Sequence, residues 1–177
     1  MKDGIEIVEA TTAWHLEQVR SLLDEYMAWD VEVTRSLGLD VDRLRELYYA
    51  GVDELPGRHA RPDGRLLLAL AGTEAAGCGG LRRLDPEMGE LARMFVRPAF
   101  RGRGVGRLLL DALVAEARAI GYLRVRLATG TFMTAAHAMY RAAGFRDIEP
   151  YLDMPDGFRE ITMYMELDLE RPVADRD

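Results

Sequence analysis

The chain has 177 residues, 49% of them hydrophobic and 30% charged, which fits one globular domain long enough for a real core. A formal net charge of −7 speaks against nucleic acid as the main partner, because phosphate neutralisation needs a basic surface. A single cysteine, Cys78, excludes an internal disulfide and suits a reducing compartment. No run approaches the ~20 apolar residues of a membrane span, and the opening residues carry no apolar signal-peptide core. The expectation is a cytoplasmic protein with no membrane partner.

Ile5–Ala10 reads as a first strand. Thr11 or Thr12 can cap a helix running to about Ala28, with Leu16, Val19, Leu23, Tyr26 and Met27 on one face. Asp40 is placed to cap a second helix over Val41–Ala50, with Leu44, Leu47 and Tyr48 inward. The segment Gly51–Asp63, with Pro56, Gly57 and Pro62, reads as an irregular loop. Arg65–Ala71 and Ala75–Leu84 are strands around a tight turn at Gly72-Thr73-Glu74, and Glu90–Val96 follows a turn at Pro86–Gly89. Val105–Ile120 is helical, with a stripe of Leu108, Leu109, Ala112, Leu113 and Ala119 stopped by Gly121. Leu123–Leu127 alternates with period 2, as a strand with one buried face does. Thr134–Ala143 is a helix ended by Gly144, and Arg146–Ile148 and Ile161–Leu169 are closing strands around the long loop Glu149–Glu160. No linker divides the chain, so residues 1–170 read as one domain and 171–177 as a charged tail.

The most informative stretch is Met94-Phe95-Val96-Arg97-Pro98-Ala99-Phe100-Arg101-Gly102-Arg103-Gly104-Val105-Gly106-Arg107. A strand ends at a proline, enters an Arg/Gly loop and opens into a helix. Glycines allow positive φ, so successive N–H groups can converge on an anion, and the helix adds its positive end. A nucleoside-triphosphate loop would need Gly-Lys-Ser/Thr, but Gly106 is followed by Arg107-Leu108. A dinucleotide loop would need G-x-G-x-x-G and an acidic residue about 20 positions on, whereas the region near Arg126 reads Arg-Val-Arg-Leu.

What remains, Arg101-x-x-Gly104-x-Gly106, resembles the pyrophosphate-binding motif of the GNAT N-acetyltransferases. Ala136, Tyr140, Gly144 and Phe145 follow at the spacing that family uses, and the resemblance spans roughly residues 62–167. It implies an α/β (α+β mixed) fold: a largely antiparallel sheet of about seven strands, a central parallel pair joined by a helical crossover, and flanking helices. In the family the parallel strands splay, and the pantetheine arm of acetyl-CoA lies in the gap. The function implied is acetyl transfer from acetyl-CoA to a primary amine of a small molecule, peptide or protein, by direct attack in a ternary complex. A non-catalytic acyl-CoA-binding sensor on the same fold is the alternative, and a homodimer is an open form.

The resemblance also implies roles. Arg101, Gly102, Arg103, Gly104, Val105, Gly106 and Arg107 would cradle the diphosphate through backbone amides, with Arg101 and Arg103 adding charge. Met94, Phe95 and Val96 would pair with the pantetheine amides, and an N–H beside Val96 would hold the thioester oxygen. Tyr140 is the expected general acid toward the leaving sulfur. Glu90, 11 positions before Arg101, is the expected base, with His137 next. Each has a structural reading as well: Tyr140 as a core tyrosine, Glu90 as a solvated strand residue. The Asn that many members carry seven residues before the Tyr is replaced by Met133, where Thr131 or Thr134 could substitute. His15, His59 and Cys78 show no metal-binding spacing, so no metal is expected. Acidic residues cluster early (Asp24, Glu25, Asp30, Glu32, then Asp40 to Glu54), either as solvated faces or as an acidic mouth for a cationic amine. Segments 31–63 and 149–160 are expected to line the acceptor side.

Overall fold

The structure, a computed structural model, describes residues 4–170; the charged stretch 171–177 lies outside them. Among the described residues, seven strands form one sheet in the order β1-β2-β3-β4-β5-β7-β6. They are β1 (Ile5–Glu9), β2 (Arg65–Ala71), β3 (Glu74–Asp85), β4 (Met88–Val96), β5 (Arg124–Gly130), β6 (Arg146–Ile148) and β7 (Thr162–Asp168). Every neighbouring pair is antiparallel except β4 and β5, as the crossover reading expects. The helices flanking the sheet are α1 (Ala13–Ser36), α2 (Val41–Leu44), α3 (Val105–Ile120) and α4 (Thr134–Ala142). None of the described helices is long and apolar enough to cross a membrane.

The run Leu66-Leu67-Leu68-Ala69-Leu70 is apolar throughout because both faces of β2 are covered. Leu67 and Ala69 pack with Leu109, Leu110 and Leu113 of α3. Leu66, Leu68 and Leu70 pack with Val19, Leu22 and Leu23 of α1. The buried stripe of α3 is Val105, Leu109, Leu110, Leu113, Val114 and Ala117, rotated from the expected one. Leu108 and Ala112 are only partly buried.

Three local departures from the sequence reading shape the site. First, α1 runs eight residues past Ala28, because Val31 and Thr34 are buried and Val31 packs with Leu44, Met154 and Phe158. Second, α2 is capped as expected, with Asp40 Oδ1 accepting from the amides of Asp42 and Arg43. It then widens into a π-helical turn over Arg45–Tyr49, which buries Tyr49. Third, β4 carries a bulge: Gly80 pairs with Ala92 and Cys78 with Phe95, so Arg93 and Met94 share the place opposite Gly79. Arg93 takes φ 60°, a left-handed conformation uncommon for a side-chain-bearing residue. A Cβ at Gly79 would meet the Met94 sulfur at 2.5 Å and a Leu113 methyl at 2.9 Å, so these two side chains pack directly over that glycine.

The parallel pairing of β4 with β5 is short: Met88, Gly89 and Glu90 lie opposite Arg124, Val125 and Arg126. Beyond Glu90 the two strands part, and β5 goes on pairing with β7 as far as Gly130. Arg97, just past the end of β4, ties α1 to β3. Its guanidinium donates to the Ala75 carbonyl at 2.7 Å and to the Glu25 carboxylate at 2.7 Å, and Tyr26 stacks on Phe95 with centroids 5.1 Å apart.

Candidate active site

The parted strands open onto two clefts. The first, of about 550 Å³, lies between the β4 end, the Arg/Gly loop and α4. Gly102 and Gly104 take φ 75° and 81°, conformations that a side chain strains. They turn the chain so that α3 starts at Gly104 with no side-chain cap. The N–H groups of residues 102–107 find no acceptor among the described residues, leaving a row of donors at the positive end of a helix. The Arg97 N–H bonds to Ala76 of β3 at 2.9 Å. Val96, one residue earlier, therefore turns its N–H and C=O toward the gap. This set of groups fits a diphosphate at the loop and an amide-bearing arm along β4.

Arg101 lines this cleft, but its Nε donates to the Val96 carbonyl at 3.0 Å and its guanidinium lies 6.0 Å from the Phe95 ring centroid. Arg103 lies over Phe100 at 5.2 Å and is not part of the wall. Arg107 lines the cleft while pairing with Asp111 at 2.7 Å. The donors facing the cleft are thus mainly backbone, with Arg101 and Arg107 as the nearby cations.

The second cleft, of about 560 Å³, lies on the other side of the gap, between α1, the π-helical turn and β4. Tyr26, Met94, Met133, Ala136 and Tyr140 line both clefts. Tyr140 is 6% exposed and its hydroxyl bonds to no other described residue. Burial pushes its phenol up to about 12, which keeps it protonated at neutral pH. Met133, in the place of the usual Asn, offers its sulfur to the Thr129 hydroxyl at 3.5 Å and the Tyr26 hydroxyl at 3.9 Å. Thr134 lines the first cleft.

Asp30 lines the second cleft one turn of α1 beyond Tyr26. Its carboxylate accepts from the Tyr49 hydroxyl at 2.5 Å. Burial raises its pKa to about 6, against the lowering effect of that bond. Burial likewise raises Tyr26 and Tyr49, with Asp30 adding to both. A carboxylate titrating near neutrality beside a cleft is a competent proton acceptor. The sequence holds a signal for it: Val19, Leu23, Tyr26, Met27 and Asp30 continue one helical stripe, and a carboxylate on an apolar stripe is out of place.

Arg93 donates to the carbonyls of Tyr48 and, at 2.9 Å, Ala50, so the β4 bulge fixes the end of the π-helical turn and with it Tyr49. Glu90 stands apart. It is 3% exposed, accepts from Arg82 Nε at 2.5 Å and from the Tyr151 hydroxyl at 2.9 Å, and lines neither cleft. With both oxygens engaged, it holds Arg82 rather than facing the gap. His137 is also occupied, its Nε2 lying 2.9 Å from the Gly130 carbonyl. The charged residues lining the second cleft are Asp30, Arg58, Arg82 and Arg93, so its wall is basic and not the acidic mouth that the early carboxylates suggest. Segment 31–63 supplies part of that wall, whereas 149–160 supplies none. Among the described residues no group of three or more His, Cys, Asp or Glu is placed to hold a metal ion.

Comparison with known proteins identifies the family and the fold. Residues 19–145 match the sequence profile of the acetyltransferase (GNAT) family. An IAA acetyltransferase of Azospirillum brasilense is 39% identical over 132 residues, covering 72% of this chain and 84% of that protein. The fold is shared with a GNAT-family acetyltransferase of Staphylococcus aureus Mu50, at TM-score 0.72, 22% identity and coverage of 94% and 99% of the two chains. It is shared too with a GNAT-family acetyltransferase of Elizabethkingia anophelis with acetyl-CoA bound, at TM-score 0.61, 21% identity and the same coverage.

Proposed function

The chain belongs to the GNAT family of acyl-CoA-dependent acetyltransferases, and from that premise we propose that it transfers the acetyl group of acetyl-CoA to a primary amine bound in the second cleft. The observation that carries this reading is Tyr140: a protonated, unbonded hydroxyl at the junction of an anion-binding cleft and a cleft containing Asp30. The donor substrate supplies an activated thioester. Backbone amides of residues 102–107 hold its diphosphate, Met94, Phe95 and Val96 align its arm, and the Val96 N–H polarises the thioester carbonyl.

An alkyl amine is mostly charged at neutral pH, so a proton must leave before nitrogen can attack. Asp30 accepts it and frees the lone pair. Nitrogen then bonds to the carbonyl carbon, the C–S bond breaks, and sulfur takes the Tyr140 proton. The second amine proton restores the phenol and Asp30 gives its proton to solvent, so one proton is released for each ammonium consumed. Glu90, the base expected from the sequence, serves here to orient Arg82.

The test is thiol release from acetyl-CoA against a panel of amines and peptides. Turnover by the intact protein with at least one amine, reduced in Y140F, supports the proposal. Acetyl-CoA binding without turnover on any amine overturns it in favour of an acyl-CoA sensor.

A further inference from the structure

The second cleft holds more positive charge than its own carboxylates neutralise. Arg82 is gripped along one edge only: Glu90 accepts from its Nε at 2.5 Å and is itself fixed by Tyr151. Both terminal nitrogens of Arg82 are without partners among the described residues. Arg58 is exposed and makes only a 3.4 Å bond to the Arg83 carbonyl. Arg93 is held by backbone carbonyls and pairs with no carboxylate among the described residues. After burial itself, the charges of Arg93, Arg82 and Arg58 all help to lower the pKa of His59. Asp30 belongs to the other part of the cleft, with Tyr26 and Tyr49.

A planar fork with one edge anchored and the other free matches a carboxylate, which accepts two parallel N–H bonds. We propose that the amine acceptor is a small zwitterion of the amino-acid class, its carboxylate on Arg82 and Arg58 and its amine toward Asp30 and Tyr140. A cleft of about 560 Å³ is of the size that takes a small molecule. Arg93 adds positive field without surrendering its backbone bonds. This rests on the N-acetyltransferase reading and narrows its acceptor.

The test is thiol release from acetyl-CoA with the twenty standard amino acids, each as free acid and as carboxamide, beside simple monoamines and polyamines. The expected result is turnover of one or more free acids, with kcat/KM about tenfold or more above the matching amide, the scale of a lost charged hydrogen bond. R82Q should erase that ratio. Because R82Q leaves Glu90 buried without its cation, R58Q repeats the measurement at an exposed position and should lower the ratio in part. Amides or plain amines turned over as well as the acids would overturn the proposal and leave acetyl transfer standing. A ratio unchanged in R58Q and in folded R82Q would also overturn it. No thiol released with any amine would overturn both readings.

Discussion

The two clefts that meet at Tyr140 are built in different ways. The cleft proposed for the donor has the contiguous loop 101–107 along one wall, where unpaired backbone amides would do the binding, so that wall depends on φ angles at Gly102 and Gly104. The cleft proposed for the acceptor is lined by residues of α1, the π-helical turn, β3, β4, β5 and α4, which only the fold brings together. A backbone site tolerates changes of side chain but not of conformation. A side-chain site has the reverse sensitivity.

The largest effect should come from Asp30. D30N removes the proposed proton acceptor, and kcat/KM for the amine should fall by about 10²–10⁴-fold; steady-state kinetics at saturating acetyl-CoA would show it. Y140F should lower kcat by about 10²-fold, at the lower end of that range, with little change in acetyl-CoA affinity. G104V acts on the other cleft. Nothing lies within 4 Å of an added Cβ at Gly104, so the effect is conformational strain of about 1–3 kcal/mol. If that strain falls on binding, affinity for acetyl-CoA drops about 5- to 150-fold by calorimetry.

The smallest effects concern pH. The wild-type kcat/KM should rise through pH of about 6, where Asp30 ionises, and D30N should lose that limb. Stability should respond to pH with opposite signs at Asp30 and His59. Asp30 is raised from 3.8 to about 6, so its contribution to folding is greatest below 3.8 and is lost as pH rises through 6. His59 is lowered from 6.5 to about 4, chiefly by burial, so its contribution is present above 6.5 and lost as pH falls through 4. Each is worth up to about 3 kcal/mol. Relative to wild type, H59Q should gain stability on acidification from 6.5 to 4 and D30N should lose it, as denaturant midpoints would show.

The same division explains what can be read from the sequence. The loop Arg101–Arg107, α3 and α4 are contiguous, and their glycine spacing and helical period locate them without tertiary information. The parallel β4–β5 pair follows from the helical crossover between its strands. Glu90 has a place by its offset from Arg101, but whether a buried carboxylate is free depends on its partners in the fold, here Arg82 and the distant Tyr151. The bulge at Arg93 and the widened turn that buries Tyr49 are tertiary outcomes with no period to betray them. Asp30 is legible in part, as a charge on an apolar stripe, once α1 is known to extend past Ala28.

The central claim is the division of labour between the clefts, and one calorimetric series reads it: acetyl-CoA titrated into wild type, D30N and G104V. The expected result is binding by wild type, the same affinity in D30N to within about twofold, and a clear loss in G104V. Absence of binding to wild type, or an affinity loss in D30N that equals that in G104V, would contradict it.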